Sequence, residues 1–542
     1  MIPANMKKIF SILATMLFAT AAYSQKDSIN AVIRVENRYN PVVTKAAKKG
    51  VTPAIEQNTA TPLKLEFSQQ ATPFTGFASE RDVTALLPKQ EENLPFYIRG
   101  SYGTGHNTDN KITALLHPGE RDEVSAIATF NGYNTQLDGI AGEWDSRMFT
   151  THIGARYAHT FDKMVLGATA SYGNKVFNYQ RWQPTDKQNV QRGNFGIFGK
   201  SLLAGPLSYE FSAAYSRINY KRTPFLLNAN EDIIGHIAEN RISVNGLFKY
   251  ELTGELLRSA GLGIEADNYS YGGCSLFDNF FSLNLNPHAN ILFKGMTMRL
   301  GAQLSVITKH NAFLAFAPDL SIEGKAGEKF TLYTTVTGGR DAACVETMEQ
   351  LTPYWAANPT KAQYTVADIK AGTRFSHKGF SADVYAGYSY TKDEFLQSYY
   401  TITGSGIGAY IAQDNVKRAY TGLYTAYDYK GRIKATAAAR YNHYTCDNEE
   451  LLFMKPQVEV ELGAQARLLD DLYVNLGYSF ATYGHDDPSK NKNELNLRAS
   501  YRFLNRYSAF VEGNNLINQE YFKYAGYYEQ GINMLLGLSA SF

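Results

Sequence analysis

The 542-residue chain has almost no net charge: 53 Lys and Arg against 51 Asp and Glu leave +2. That balance gives no support for nucleic acid or a strongly charged polymer as a partner. Cysteine is scarce, with Cys274, Cys344 and Cys446 far apart. Three thiols cannot close a disulfide framework, and their spacing fits no metal motif, so they read as incidental. Past the first two dozen residues, no apolar run approaches the ~18 residues of a membrane-spanning helix. The ten histidines include no His-x-x-x-His pair and no Cys/His cluster, which leaves zinc without support. Gly261-Leu262-Gly263 and Gly406-Ile407-Gly408 precede no helix and do not read as phosphate cradles. His152, with Arg156, Thr150 and Thr160, reads as polar lining. His485 beside Asp486 and Asp487 reads as solvated loop charge. No cofactor and no catalytic constellation is therefore expected, and the chain is not read as an enzyme.

Aromatic residues are plentiful instead. Tyr occurs 38 times and Phe 31 times against 3 Trp, and there are 44 Gly. Mean hydropathy is −0.31. A transmembrane β-barrel hides in such a polar average, because only every second residue of a strand faces lipid. A soluble, Tyr-rich β-protein shares these averages, so patterning has to decide.

The N-terminus reads as a secretory signal over 1–24. Lys7 and Lys8 are its positive region, Ile9 to Ala21 its apolar stretch, and Ala22-Tyr23-Ser24 puts cleavage before Gln25. Residues 25–95 are polar and broken by Pro41, Pro53, Pro62, Pro73, Pro88 and Pro95, with a basic cluster at Lys45, Lys48 and Lys49. This segment reads as an extended periplasmic or lumenal arm.

From Phe96 to Phe542 the chain alternates with period two, which is a strand signal because successive side chains point to opposite faces. Leu207, Tyr209, Phe211, Ala213 and Tyr215 alternate with Ser208, Glu210, Ser212, Ala214 and Ser216. Phe380, Ala382, Val384, Ala386, Tyr388 and Tyr390 repeat the pattern, as do Leu472, Val474, Leu476, Tyr478 and Phe480. The runs are about ten to fifteen residues long, more than the ~5–6 of globular sheets and enough to cross a bilayer at a tilt. Tight turns fall at Asp162, Gly205-Pro206, Gly254, Gly295, Gly327, Gly379, Gly431, Asp470-Asp471 and Asn505. Longer polar loops fall between them, at 180–190, 220–233, 341–362, 393–404, 446–454, 484–492 and 516–530. This reads as an all-β fold, a transmembrane antiparallel barrel of about twenty-two strands (range about 20–24), with short periplasmic turns and longer extracellular loops.

The ending points to a compartment. Ile532, Met534, Leu536, Leu538, Ala540 and Phe542 form one apolar face, and a strand ending on a free Phe resembles the assembly signal of Gram-negative outer-membrane barrels. Such a strand, left as an open edge, would need a partner, and barrel closure supplies one.

Val511-Glu512-Gly513-Asn514-Asn515-Leu516-Ile517-Asn518-Gln519-Glu520-Tyr521 resembles the penultimate-strand motif of TonB-dependent receptors, and Gly531 with the terminal strand is similar to that family's ending. Asn358-Pro359, followed by Tyr364 and Gly372, is similar to a mid-barrel pattern of the family, with Lys361-Ala362 where Pro-Glu is usual. The signal style, Ser before Gln, resembles Bacteroidota exports. The resemblance implies a 22-strand receptor barrel. It also implies a plug domain of over a hundred residues, whereas residues 25–95 number only about seventy and carry no Gly-rich plug signature. Val32, Ile33, Arg34 and Val35 form a strand able to pair with a periplasmic partner by β-augmentation.

Two functional expectations follow. One is a transport barrel gating a nutrient across the outer membrane, its lumen obstructed by residues 25–95 or by inward-folded loops such as 341–362. The other is a non-transporting scaffold or accessory subunit of an outer-membrane assembly. Tyr354, Trp355, Tyr399 and Tyr400 are candidate contacts for a ligand or a surface lipoprotein. The expected partners are outer-membrane lipid, the barrel assembly machinery and a periplasmic energy-coupling protein; nucleic acid is not among them.

Overall fold

A computed structural model describes residues 94–542, apart from 141, 181–186, 203–204, 222–235, 274–276, 310–313, 357, 359, 403–405 and 484–490. The signal segment, most of the arm with Val32–Val35, Cys274, Pro359, His485, Asp486 and Asp487 lie outside the described residues.

The period-two segments form strands. The first eight are β1 (Phe96–Gly103), β2 (Thr108–Gly119), β3 (Asp122–Leu137), β4 (Trp144–Thr160), β5 (Met164–Asn178), β6 (Lys187–Ser201), β7 (Leu207–Tyr220) and β8 (Ile237–Glu251). Then follow β9 (Leu257–Gly272), β10 (Phe280–Phe293), β11 (Met296–Ile307), β12 (Leu314–Ala326) and β13 (Phe330–Asp341). A short helix, α1 (Val345–Leu351), precedes β14 (Gln363–His377), β15 (Phe380–Ile402), β16 (Gly406–Tyr429) and β17 (Ile433–Thr445). The last part holds β18 (Pro456–Arg467), β19 (Leu472–Tyr483), β20 (Lys492–Phe503), β21 (Tyr507–Asn514), the small hairpin β22 (Phe522–Tyr524) with β23 (Tyr527–Tyr528), and β24 (Asn533–Ser541).

All but β22 and β23 belong to one 22-stranded sheet. Each strand pairs antiparallel with its neighbours, and β24 closes the ring on β1, from Tyr97 against Ser541 to Gly103 against Leu535. The seam is finished by Phe96 N–H donating to the Phe542 carbonyl at 2.8 Å and Phe542 N–H to the Phe96 carbonyl at 3.0 Å. Closure leaves the sheet without an edge, which is what permits strands to sit in lipid.

The turns at one end are short because the sequence supplies the conformation that tight hairpins demand. Lys294-Gly295, Lys378-Gly379 and Lys430-Gly431 all have positive φ at both residues, the backbone of a turn whose twist matches the strands it joins. All nine tight turns expected from the sequence lie at this end. The expected loop at 393–404 is a correction: residues up to Ile402 continue β15, which pairs with β16 out to Gly406. Past Thr391 the strict alternation ends and pairing with β16 carries the strand on, with a register shift between Thr391 and Glu394, the kind of bulge that bends a strand.

The two faces of the wall differ in kind. Outward residues are large and apolar: Leu536 is 69% exposed, Leu538 64% and Phe316 60%. In water so many exposed apolar side chains would be a liability, whereas against hydrocarbon they are in their proper solvent. Aromatic pairs ring the short-turn end, among them Phe96 with Phe542, Phe330 with Phe375, and Phe503 with Tyr507. No described helix is long and apolar enough to cross a membrane.

A capped lumen as the candidate functional site

Inward-facing positions line a chamber of about 1810 Å³, with Tyr97, Arg99, Asp109, Lys111, His152, Arg418, Glu494 and Arg498 among its walls. Its charges are mostly cancelled by cross-strand pairs. Arg418 meets Asp368 at 3.3 Å, Arg440 meets Glu459 at 2.6 Å, Arg498 meets Glu512 at 3.3 Å, and Arg99 pairs with Asp109. The lining is thus polar yet close to neutral, a surface that wets readily without strongly selecting one sign of charge.

The long-loop end is covered. Residues 342–356 turn inward and carry the largest buried cluster among the described residues: Val345, Met348, Tyr354 and Trp355 pack with Trp144, Phe177, Tyr179, Val190, Ile218, Tyr220, Ile237, Phe395, Ile407, Ala409, Ile411 and Tyr527. Trp355 is fully buried; its indole N–H donates to the Tyr220 hydroxyl at 3.0 Å and its ring meets Tyr220 edge-on. Tyr354 stacks on Tyr527 with centroids 3.7 Å apart and planes 2° from parallel. Backbone bonds tie the cover to the extended hairpin, with Ala356 N–H donating to the Ala409 carbonyl at 2.5 Å and Ile407 N–H to the Gln180 carbonyl at 3.0 Å. Strands from opposite sides of the ring therefore share one apolar core across the mouth.

Carboxylates on α1 meet cations on the wall. Glu349 is completely buried on its side chain and bonds Lys175 at 2.6 Å and Arg192. Glu346 reaches Arg241 at 3.2 Å and Arg192 at 3.7 Å. Arg241 is also held by Asp267, at 2.8 and 3.0 Å. The helix start has no side-chain cap of its own; Val345 N–H instead donates to the wall residue Glu239 at 2.7 Å. A helix this short does not persist alone, so the wall holds it in place. Burial, reinforced by Glu239 and Glu346, pushes the Cys344 thiol well above its ordinary range. That thiol is inert while the cover is closed.

The penultimate motif acquires a physical role. Asn515 and Asn518 both have positive φ, a conformation asparagine tolerates because its short amide bonds the local backbone. Asn515 Nδ2 donates to the Gln519 and Gln530 carbonyls at 3.0 and 2.8 Å, and Asn518 Oδ1 accepts from Ile532 N–H at 2.8 Å. Tyr521 then reaches across to Glu494 at 2.7 Å. These bonds aim β22 and β23 inward, so that Tyr524 and Tyr527 join the cover.

The aromatic candidates fall in the same place but differ in exposure. Tyr354 and Trp355 are buried as packing residues of the cover and offer no face to the outside. Tyr399 is half-buried against Phe453 and Phe522, and Tyr400 lies against Tyr410. A partner meeting this end would touch only the latter two, and those only in part. Ile532, Met534, Leu536, Leu538 and Phe542 lie exposed on the outer face of the closing seam, with Ala540 between them in register with Ile98. His152 and Thr150 line the chamber; Arg156 pairs with Glu123 at 2.5 Å. Among the described residues no group of three or more His, Cys, Asp or Glu is placed to hold a metal. The Glu346–Glu349 latch is not legible in sequence, where a seven-residue piece within a long polar loop gives no signal distinct from solvated charge.

No protein-family model matches the sequence, and no curated protein matches it significantly. Solved structures do share its shape. The copper transporter OprC matches with a TM-score of 0.62 at 13% identity, covering 82% of this chain and 80% of that one. A ferric enterobactin receptor (PfeA) from Pseudomonas aeruginosa matches with a TM-score of 0.62 at 13% identity, over 82% and 80% of the two chains. The siderophore receptor PirA from Acinetobacter baumannii gives the same TM-score, 0.62, at 13% identity and the same coverage. At such identity the likeness is one of fold.

Proposed function

We propose that this chain is an outer-membrane transport barrel, moving a nutrient through a polar lumen whose outer mouth is closed by the chain's own loops. The observation that carries this reading is the pairing of a chamber of about 1810 Å³ lined by paired charges with an apolar cover built from loop segments. A bore this wide has to be obstructed in a living membrane, and a cover made of loops is one that can move. The copper and siderophore receptors that share the fold support nutrient transport as the purpose.

In this reading the short turns face the periplasm and the covered mouth faces outward. Residues 1–24 are a cleaved secretory signal. Residues 25–95 form a periplasmic or lumenal arm in place of a full plug, a variant of the TonB-dependent receptor plan from a Bacteroidota-type exporter. Val32–Val35 would add a strand to a periplasmic energy-coupling protein. The terminal strand would engage the barrel assembly machinery, and Tyr399 and Tyr400 would face a surface lipoprotein. The fold neighbours are receptors, and the reading assigns the chain no enzyme activity.

The size of the cover's buried core favours one rival: a cover that never opens would make the barrel a scaffold within a larger assembly. Single-channel conductance in planar bilayers separates the two. The full mature protein is expected to stay closed. A form lacking residues 26–94 and carrying Trp355→Ala is expected to show a large, steady conductance. If that form also stays closed, the transport reading gives way to the scaffold.

A further inference from the structure

We infer that the wall cluster Lys175, Arg192 and Arg241 is a binding site for a multivalent oxyanion of the carboxylate, phosphate or sulfate class, and that Glu346 and Glu349 of the cover occupy it as a built-in competitor. The inference rests on the gated-transport reading and gives that gate its ligand chemistry.

The three cations come from β5, β6 and β8 and stand within two residues of one height near the mouth: Gly173, two residues from Lys175, is directly across from Arg192, which is across from Ile218, which is across from Glu239, two residues from Arg241. Arg241 keeps wall counter-ions of its own, Asp267 at 2.8 Å and Glu265 at 3.8 Å. Lys175 and Arg192 do not. Among the described residues their carboxylate contacts are Glu349 and Glu346, both on the cover. A further ionisable wall group here, Glu239, is engaged by the backbone of α1.

Charge bookkeeping then couples opening to anions. Closed, the cover brings two carboxylates to two cations that are otherwise unmatched among the described residues. Open, it leaves Lys175 and Arg192 partly desolvated on the lumen wall without a counter-ion, which is the expensive state for such groups. An oxyanion that takes over the two Glu positions removes that cost; Arg192 presents a planar fork suited to it, and Arg241 adds the Nη1 that Glu346 vacates. Because the anion binds only the open form, it shifts the cover toward opening by mass action. A neutral solute has no such differential affinity and shifts nothing.

Cys344, buried at the start of α1, reports the opening. The test follows iodoacetamide modification of the Cys344 peptide by mass spectrometry, using the full mature protein in micelles and citrate as the probe. Controls are sodium chloride at matched ionic strength, mannitol as a neutral solute, and Trp355→Ala, which loosens the cover without touching the charges. Citrate is expected to speed Cys344 modification saturably, about tenfold or more over matched salt, while mannitol does nothing. Lys175→Gln/Arg192→Gln should react fast from the start and lose the citrate response. If Trp355→Ala speeds modification but citrate does not exceed matched salt, the anion site is overturned and the gate stands. If Trp355→Ala also leaves the rate unchanged, the gate falls, and the anion site with it.

Discussion

Replacing Trp355 by alanine tests whether the cover is a separable unit. The indole is fully buried, donates its N–H to Tyr220 at 3.0 Å, and packs against Tyr220 and Phe277. Truncating a buried Trp costs about 3–5 kcal/mol, of which the severed hydrogen bond is roughly 1 kcal/mol. The barrel wall makes its own hydrogen-bond ladder and does not depend on this ring, so the loss falls on the closed state of the cover. At about 1.4 kcal/mol per factor of ten, opening should become roughly a hundred to a few thousand times more frequent. Hydrogen exchange read by mass spectrometry on peptides spanning 343–356 measures this directly, because Met348, Thr352, Trp355 and Ala356 N–H groups are bonded only while the cover is formed. Their protection should fall by that factor while peptides from β18 to β20 keep theirs. Unchanged protection at 343–356 would show that this core does not hold the cover. A parallel loss in β18–β20 would show that cover and barrel open as one unit.

Three further outcomes are expected. Val244 lies at the middle of β8 on the lipid face, 49% exposed, so Val244→Arg should destabilise the inserted barrel by about 2–4 kcal/mol; Asn245→Arg next to it points inward and should cost far less in the same urea titration. Removing Phe542 deletes both backbone bonds to Phe96 and their ring stack, and should lower the fraction of heat-modifiable, folded barrel in outer-membrane fractions. Burial, followed by the Asp414 carboxylate, pushes the Cys446 thiol up to about 11; because only the thiolate reacts, its alkylation should be slow at neutral pH and climb about tenfold per pH unit until near 11, and a plateau below pH 9 would contradict that environment.

Period-two alternation is a local property, and it was enough for the strands, their number and the nine tight turns. A side chain's face depends on its own position in the strand, so Val458, Leu476 or Leu538 declares lipid without reference to anything distant. The terminal strand was legible for the same reason, since an unbroken apolar row from Ile532 to Phe542 demands closure. The site was legible only in outline. Residues 341–362 were expected to fold inward, yet Tyr354 and Trp355 were taken for surface contacts, because burial is decided by partners such as Tyr220 and Tyr527 that lie more than a hundred positions away. The continuation of β15 past Asp393 was equally hidden, since polar residues there suit a loop as well as a strand that leaves the membrane.

The sequence by itself determined a closed, lipid-facing barrel with short turns at one end. Only the tertiary structure decided what closes the other end. Glu349 meets Lys175 across 174 positions of chain, and no periodicity records such a meeting. It exists because closing the ring brings β5, β6 and β8 to one rim, where a short helix with two carboxylates finds the cations and the apolar neighbours it cannot supply for itself.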